Sequence, residues 1–167
     1  MKKILFGLFS ILFAMTIFNC EKDDICEEGT PTTPRLIVEF YDNNNPTVKK
    51  NVINLAVVGE NMTDSLKFNG VSKIEIPLKN NANNSNFSFV FDSANSNTSL
   101  INNDNVEVNY LRNDVFISRA CGYKTVFELD NSNGMKFTPD SNNWIKEIAI
   151  QNHNILNENE VHVKIFF

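Results

Sequence analysis

Apolar residues fall at every second position through most of this chain, and short asparagine-rich runs separate the stretches where they do. Leu36, Val38 and Phe40 alternate with Ile37, Glu39 and Tyr41, and Ile74, Ile76 and Leu78 with Lys73, Glu75 and Pro77. Phe87, Phe89 and Phe91 share one parity, as do Val106, Val108 and Tyr110, and Val161, Val163, Ile165 and Phe167. Successive side chains of a strand point to opposite faces, so this spacing sends one row inward and the other toward water. The runs at Asn43 to Asn45, Asn80 to Asn86 and Asn102 to Asn105 read as loops, because asparagine favours turns and tolerates left-handed backbone. Further strand candidates are Val52 to Val58, Val115 to Ser118 and Thr125 to Leu129. Trp144 to Ile150 suits either a strand or a short helix, and Pro77 confines its strand to a sheet edge or a bulge. Short strands between turn-rich gaps predict an all-β fold: an antiparallel β-sandwich of immunoglobulin-like or jelly-roll-like type, or alternatively a partly open β-barrel.

The N-terminus carries a different signal. Lys2 and Lys3 precede an apolar stretch from Ile4 to Phe18, the charged and apolar regions of an export signal. That stretch is short of the ~20 apolar residues a membrane helix needs. It runs into Ile17-Phe18-Asn19-Cys20, which resembles the lipobox where bacterial prolipoproteins are acylated and cut, with Asn19 where Gly, Ala or Ser is usual. The expected organisation is a lipoprotein signal peptide at 1–19, a lipidated tether at 20–34 and a single β-sandwich domain at 35–167. Acyl chains such as palmitate on Cys20, at about 0.8 kcal/mol per buried methylene, would hold the chain to membrane lipid. A cleaved secretory protein and a retained signal anchor are the alternatives. Lys22, Asp23 and Asp24 look like the export signal that sends Bacteroidota lipoproteins to the outer face of the outer membrane; otherwise they are a solvated acidic linker on a periplasm-facing protein.

With Cys20 acylated, Cys26 and Cys121 remain as an even pair with one connectivity in an oxidising compartment. Disulfide, free buried thiols and a catalytic thiol at Cys121 beside His153 or His162 are the three readings. A bridge would close a long loop, which the chain-entropy model values at about 4 to 5 kcal/mol. It would leave only Glu21 to Ile25 between lipid and crosslink, at most about 18 Å when extended, and so keep the domain close to the membrane.

Nothing in the composition favours nucleic acid as a partner: without Lys2 and Lys3 the 15 basic residues fall to 13 against 20 acidic ones, a formal charge of -7. Asp130-Asn-Ser-Asn-Gly134 superficially resembles a calcium loop but lacks the spacing, so an Asx turn is expected; Asp92, Asp104 and Asp140 lie in similar polar runs. His153 and His162 are separate and read as surface residues, and no metal or other cofactor is expected. Asp64-Ser65-Leu66 and Asp92-Ser93-Ala94 match a short O-glycosylation sequon of exported Bacteroidota proteins, making Ser65 and Ser93 modification candidates. Arg119, Tyr123 and Trp144 are the candidate ligand contacts, and no catalytic set can be assembled.

Several segments, Cys20-Glu-Lys-Asp-Asp-Ile-Cys26, Thr32-Thr-Pro-Arg-Leu-Ile-Val-Glu-Phe-Tyr-Asp42, Ile76-Pro-Leu78, Ser118-Arg-Ala-Cys-Gly-Tyr-Lys124 and Trp144-Ile145, resemble a family of uncharacterised Bacteroidota lipoproteins, domain of unknown function 6452. The resemblance implies that both later cysteines belong to the fold, and it nominates an outer-membrane β-barrel protein as partner. It brings no activity. The expected function is that of a non-enzymatic, outer-membrane-anchored binding or envelope-assembly module that contacts another envelope protein through an edge strand or loop rim, with the apolar terminal segment Val161 to Phe167 either buried or seeking an edge. The runner-up is a surface glycan-binding or nutrient-scavenging module, which would draw on Trp144, Tyr41, Tyr110 and Tyr123.

Overall fold

The structure, a computed structural model, describes residues 25–167. The signal at 1–19, Cys20, Lys22, Asp23 and Asp24 lie outside the described residues. The described chain divides into two compact units: residues 32–115 with 124–167, and residues 25–31 with 116–123.

The strands are β1 (Leu36–Asp42), β2 (Asn45–Lys49), β3 (Leu55–Gly59), β4 (Ser65–Phe68), β5 (Lys73–Ile76), β6 (Asn84–Phe91), β7 (Asn102–Ser118), β8 (Gly122–Leu129), β9 (Met135–Phe137), β10 (Glu147–Ile150), β11 (Asn154–Ile155) and β12 (Val163–Phe166). Two sheets form, in the orders β10-β12-β1-β2, with β5 also on β1, and β11-β8-β7-β6-β3-β4, with β9 also on β7. Neither closes on itself, and the fold is a β-sandwich, not the partly open barrel.

The larger unit has one core, made of the rows that the alternation marks. Leu36, Val38, Phe40, Ile74, Ile76, Val163 and Ile165 of the first sheet pack with Leu55, Val57, Phe89, Val106, Val108, Phe127 and Leu129 of the second. At about 25 cal/mol per Å² of apolar surface removed from water, this burial drives folding, and the strand ladders satisfy the backbone groups buried with it. Trp144 to Ile150 resolves as an irregular lead-in, bent at Trp144, followed by β10, with Glu147 opposite Phe166. Pro77 falls just after β5 ends, so its missing N–H interrupts no ladder. Three asparagine or aspartate residues, Asn54, Asn61 and Asp92, adopt positive φ at turns.

One expectation resolves to its buried alternative, and two change. The terminal segment is no free edge: β12 lies between β10 and β1, and it pairs with β1 in parallel, Val38 opposite Val163 and Phe40 opposite Ile165. Ile37, Glu39 and Tyr41, the expected polar-face row of β1, are buried as well. Tyr41 stacks on Phe166 and donates to Glu39, while Lys49 reaches Glu39 at 2.6 Å. Burial alone would raise the Glu39 carboxyl, but the hydrogen bonds from Lys49 and Tyr41 outweigh it and hold the pKa below the ordinary carboxylate value.

His162 is the third, buried where a surface residue was expected. Its ring Nδ1 accepts the Ile37 N–H at 2.9 Å, and the His162 backbone N–H donates to the Ile37 carbonyl at 3.1 Å. Accepting at Nδ1 requires that nitrogen to be unprotonated. Burial pushes the imidazole pKa below 6.5, against the pull of Glu160 and Glu158.

The smaller unit is tied by the Cys26–Cys121 disulfide, with Cα atoms 4.9 Å apart. That separation lies within the ordinary range for a disulfide. Thr30 donates to the Glu27 carbonyl, and Ser118 Oγ accepts the Cys121 N–H at 3.0 Å.

Candidate functional site

The residues proposed for ligand contact separate. Trp144 is only 8% exposed, its indole N–H donates to the Phe89 carbonyl at 3.0 Å, and its ring packs against Phe40, Phe91 and Phe167. It is a core residue in this structure, and the expectation of ligand contact is corrected for it. Tyr41 and Tyr110 are buried too. Arg119 and Tyr123 are exposed and belong to the smaller unit with Cys121. Cys121 is bonded to Cys26 and offers no thiol nucleophile.

The polar runs also take structural roles. Asp130 Oδ1 accepts the Ser132 and Asn133 N–H groups at 2.8 and 2.7 Å, an Asx turn, and these bonds hold its carboxyl below the ordinary value. Asp104 sits in β7, opposite Phe89, and its side chain is buried in the core. There it accepts the Ile145 N–H at 2.8 Å and the Asn143 amide at 3.1 Å, fixing the segment that carries Trp144. Asp92 accepts from Asn54 and Asn95. Among the described residues no three His, Cys, Asp or Glu side chains gather as a metal site.

A concave surface lies elsewhere, touched among the sequence motifs only by the Asp64-Ser65-Leu66 sequon. A cleft of about 480 Å³ opens between the β3–β4 turn and the loop after β5. Its floor is apolar, made by Val57, Leu66, Leu78 and Phe87, and its rim carries Glu60, Met62, Asp64 and Lys79. The β3–β4 turn puts Met62 into the rim at 66% exposure, and β4 presents Leu66 at 40%. Gly59 makes the arrangement possible: a Cβ there would stand 2.9 Å from Met62 Sδ, so the bare glycine lets the thioether fold across the strand end. A second recess of about 530 Å³ shares Gly59, Glu60, Met62, Asn86 and Phe87 and adds polar Ser88, Asn105 and Thr138.

The polar groups around the cleft are partnered among themselves. Glu60 accepts from Lys79 Nζ at 3.4 Å and from the Asn86 amide at 3.2 Å. Tyr110 donates to the Lys79 carbonyl at 2.9 Å, so Ser85, 2.7 Å from the same phenol, must donate to it while accepting the Lys79 N–H. Burial pushes the Tyr110 pKa up. The Ser85 proton is committed to the phenol and has no base to receive it. This geometry can bind an apolar group.

Of the two sequon serines, Ser65 opens β4 and lines the cleft, whereas the Ser93 hydroxyl donates to the Asn54 carbonyl at 2.7 Å, a bond that glycosylation would remove. Met62, Leu66, Leu78 and Phe87 were not singled out as site residues in the sequence. The available signal was Met62, an isolated apolar side chain inside the polar run Glu60 to Ser65.

The model of a family of unknown function, DUF6452, matches residues 54–167, and the chain belongs to that family. No curated protein and no solved structure matches it. Among the described residues no helix is long and apolar enough to cross a membrane.

Proposed function

We propose that this member of the DUF6452 family is a non-enzymatic binding module of the cell envelope, held on the outer membrane through acylated Cys20, whose cleft takes an extended apolar segment of another envelope protein. The observation that carries this reading is the cleft's position along an unpaired sheet edge. Among the described residues β4 bonds to β3 on one side alone, so its other side offers backbone donors and acceptors to a strand laid along it. The apolar floor beside Leu66 and Met62 would take side chains of that strand, and methionine adapts to varied shapes. The partner class that the sequence resemblance nominates is an outer-membrane β-barrel protein. β4 replaces the terminal strand as the docking edge, since β12 is interior.

The glycan-binding reading needs several exposed aromatics in a concave site, and with Trp144, Tyr41 and Tyr110 buried it is left with Tyr123. The test is a photoreactive side chain placed at Leu66 in living cells, with the exposed Leu156 as control. One stoichiometric membrane protein crosslinked from position 66 and absent from position 156 is expected, and Leu66→Asp should lower capture by ~10-fold or more. Identical crosslink patterns at the two positions would sink the docking reading. Display is tested separately by protease shaving of intact cells: wild type should be cut and a Lys22, Asp23, Asp24→Ala variant protected.

A further inference from the structure

The smaller unit carries an apolar surface that the cleft does not use. Phe116, 56% exposed, and Tyr123, 69% exposed, stand edge to face with ring centroids 5.3 Å apart. Ile25, 78% exposed, belongs to the same unit, with the Cys26–Cys121 bridge fixing the N-terminal segment to the β7–β8 turn. An exposed aromatic pair at a crosslinked turn, with Ile25 tied to the same turn, is the kind of apolar surface that marks a membrane or protein contact.

The chain ahead of Ile25 supplies the argument for what that neighbour is. Only Glu21 to Ile25 separate Cys26 from Cys20, and five residues span at most ~18 Å. Because Cys26 is bonded to Cys121, the same short reach applies to the turn that bears the aromatic pair. We propose that this disulfide-closed tip dips Ile25, Phe116 and Tyr123 into the boundary between head groups and acyl chains of the membrane that holds Cys20. The inference rests on the reading of Cys20 as acylated. Aromatic rings, tyrosine above all, settle at this depth, where the ring is dry and the hydroxyl stays wet. The drive is apolar and not ionic: Glu27 and Glu28 beside the bridge outnumber Arg119 on the tip, so anionic lipid is not required. The consequence is a smaller unit held to the membrane at two points, the lipid and the aromatic pair.

The experiment reconstitutes the full acylated chain, carrying Phe116→Trp, into phosphatidylcholine vesicles brominated near the head of the acyl chain, and reads indole emission. The wild-type protein gives the background, since Trp144 is buried in the core. The introduced indole should be quenched at least about twofold more than that background, and equally at ~0.1 and ~0.5 M salt. Cys26→Ser with Cys121→Ser, which frees the tip from the tether, should reduce the quenching. Intact mass of the same sample reads the anchor independently. Acylated Cys20 with no quenching above background overturns the tip contact and leaves the anchor standing. Unmodified Cys20 overturns the anchor, and the tip proposal then survives only if the unanchored chain is still quenched when mixed with the vesicles.

Discussion

Two parts of the larger unit contain apolar side chains of similar kind and treat them differently. Around Trp144, the rings of Phe40, Phe91 and Phe167 close with centroids 5.2 to 6.3 Å from the indole, the indole N–H is bonded, and Asp104 fixes the incoming chain at Ile145. Around Phe87, the β3–β4 turn and the loop after β5 stay apart, and Met62 and Leu66 keep much of their surface in water. The first region has a carboxylate that ties a loop down over its aromatics. The second is bonded at its rim among Glu60, Lys79 and Asn86, and beneath it buried Ser85 and Tyr110 hold the Lys79 backbone. Apolar content alone therefore does not make a core; what matters is where the covering chain is fixed, directly over the rings at Ile145 but beside the apolar floor at Lys79.

Trp144→Ala should break the contrast most severely, opening a cavity among three rings and costing about 3 to 5 kcal/mol in urea unfolding. Asp104→Ala keeps the rings but leaves the Ile145 N–H buried without its acceptor, an expected loss of about 1 to 3 kcal/mol by the same measurement. The cleft should respond quite differently. Gly59→Ala pushes only the flexible end of Met62 aside, so stability should stay within about 0.5 kcal/mol while crosslinking from Leu66 changes. A large loss of stability in Gly59→Ala would mean that the cleft is as tightly determined as the core.

His162 adds a pH test on the closed side. Its folded pKa lies below the ordinary 6.5, so at mildly acid pH the unfolded chain binds a proton that the native chain refuses. Stability should be level above about pH 7 and fall as the pH drops below about 6.5, and His162→Gln should flatten that fall in thermal melts at a series of pH values. Glu158 does not confuse the window. Hydrogen bonds from Arg35 hold it at about 2, so its share of stability is present above the ordinary 4.5 and is lost only as the pH falls from there toward 2.

What the sequence by itself determined is the set of elements whose burial repeats every second residue. β1, β5, β8, β12 and the apolar stretches of β6 and β7 lie where alternation or an apolar run placed them, because a half-buried strand must write its two faces into the chain. Asn84 to Asn86 and Asn102 to Asn105, read as loops, are instead the paired starts of β6 and β7. The even cysteine pair and the Asx turn at Asp130 belong with these, being local or arithmetical constraints. Strands without that need were invisible: β2 is exposed at every residue, and β9 and β11 are three and two residues long. Val106 to Tyr110 and Val115 to Ser118 read as two strands because the polar run Arg112 to Asp114 interrupts the pattern, yet backbone pairing carries β7 through it.

Only tertiary structure decided who covers whom. On the expected polar face of β1, side chains of the flanking strands close over Tyr41 and Glu39, Phe166 and Lys164 from β12 and Lys49 from β2, and His162 is held inside by the Ile37 backbone. Asp104 and Trp144 read as a loop residue and a binding residue until the fold brings Ile145 and Phe89 to them, more than 40 residues distant in the chain. The cleft exists for the same reason in reverse: no periodicity records that the chain after β5 fails to reach the β3–β4 turn, because a void is a property of packing between distant segments and of no single residue.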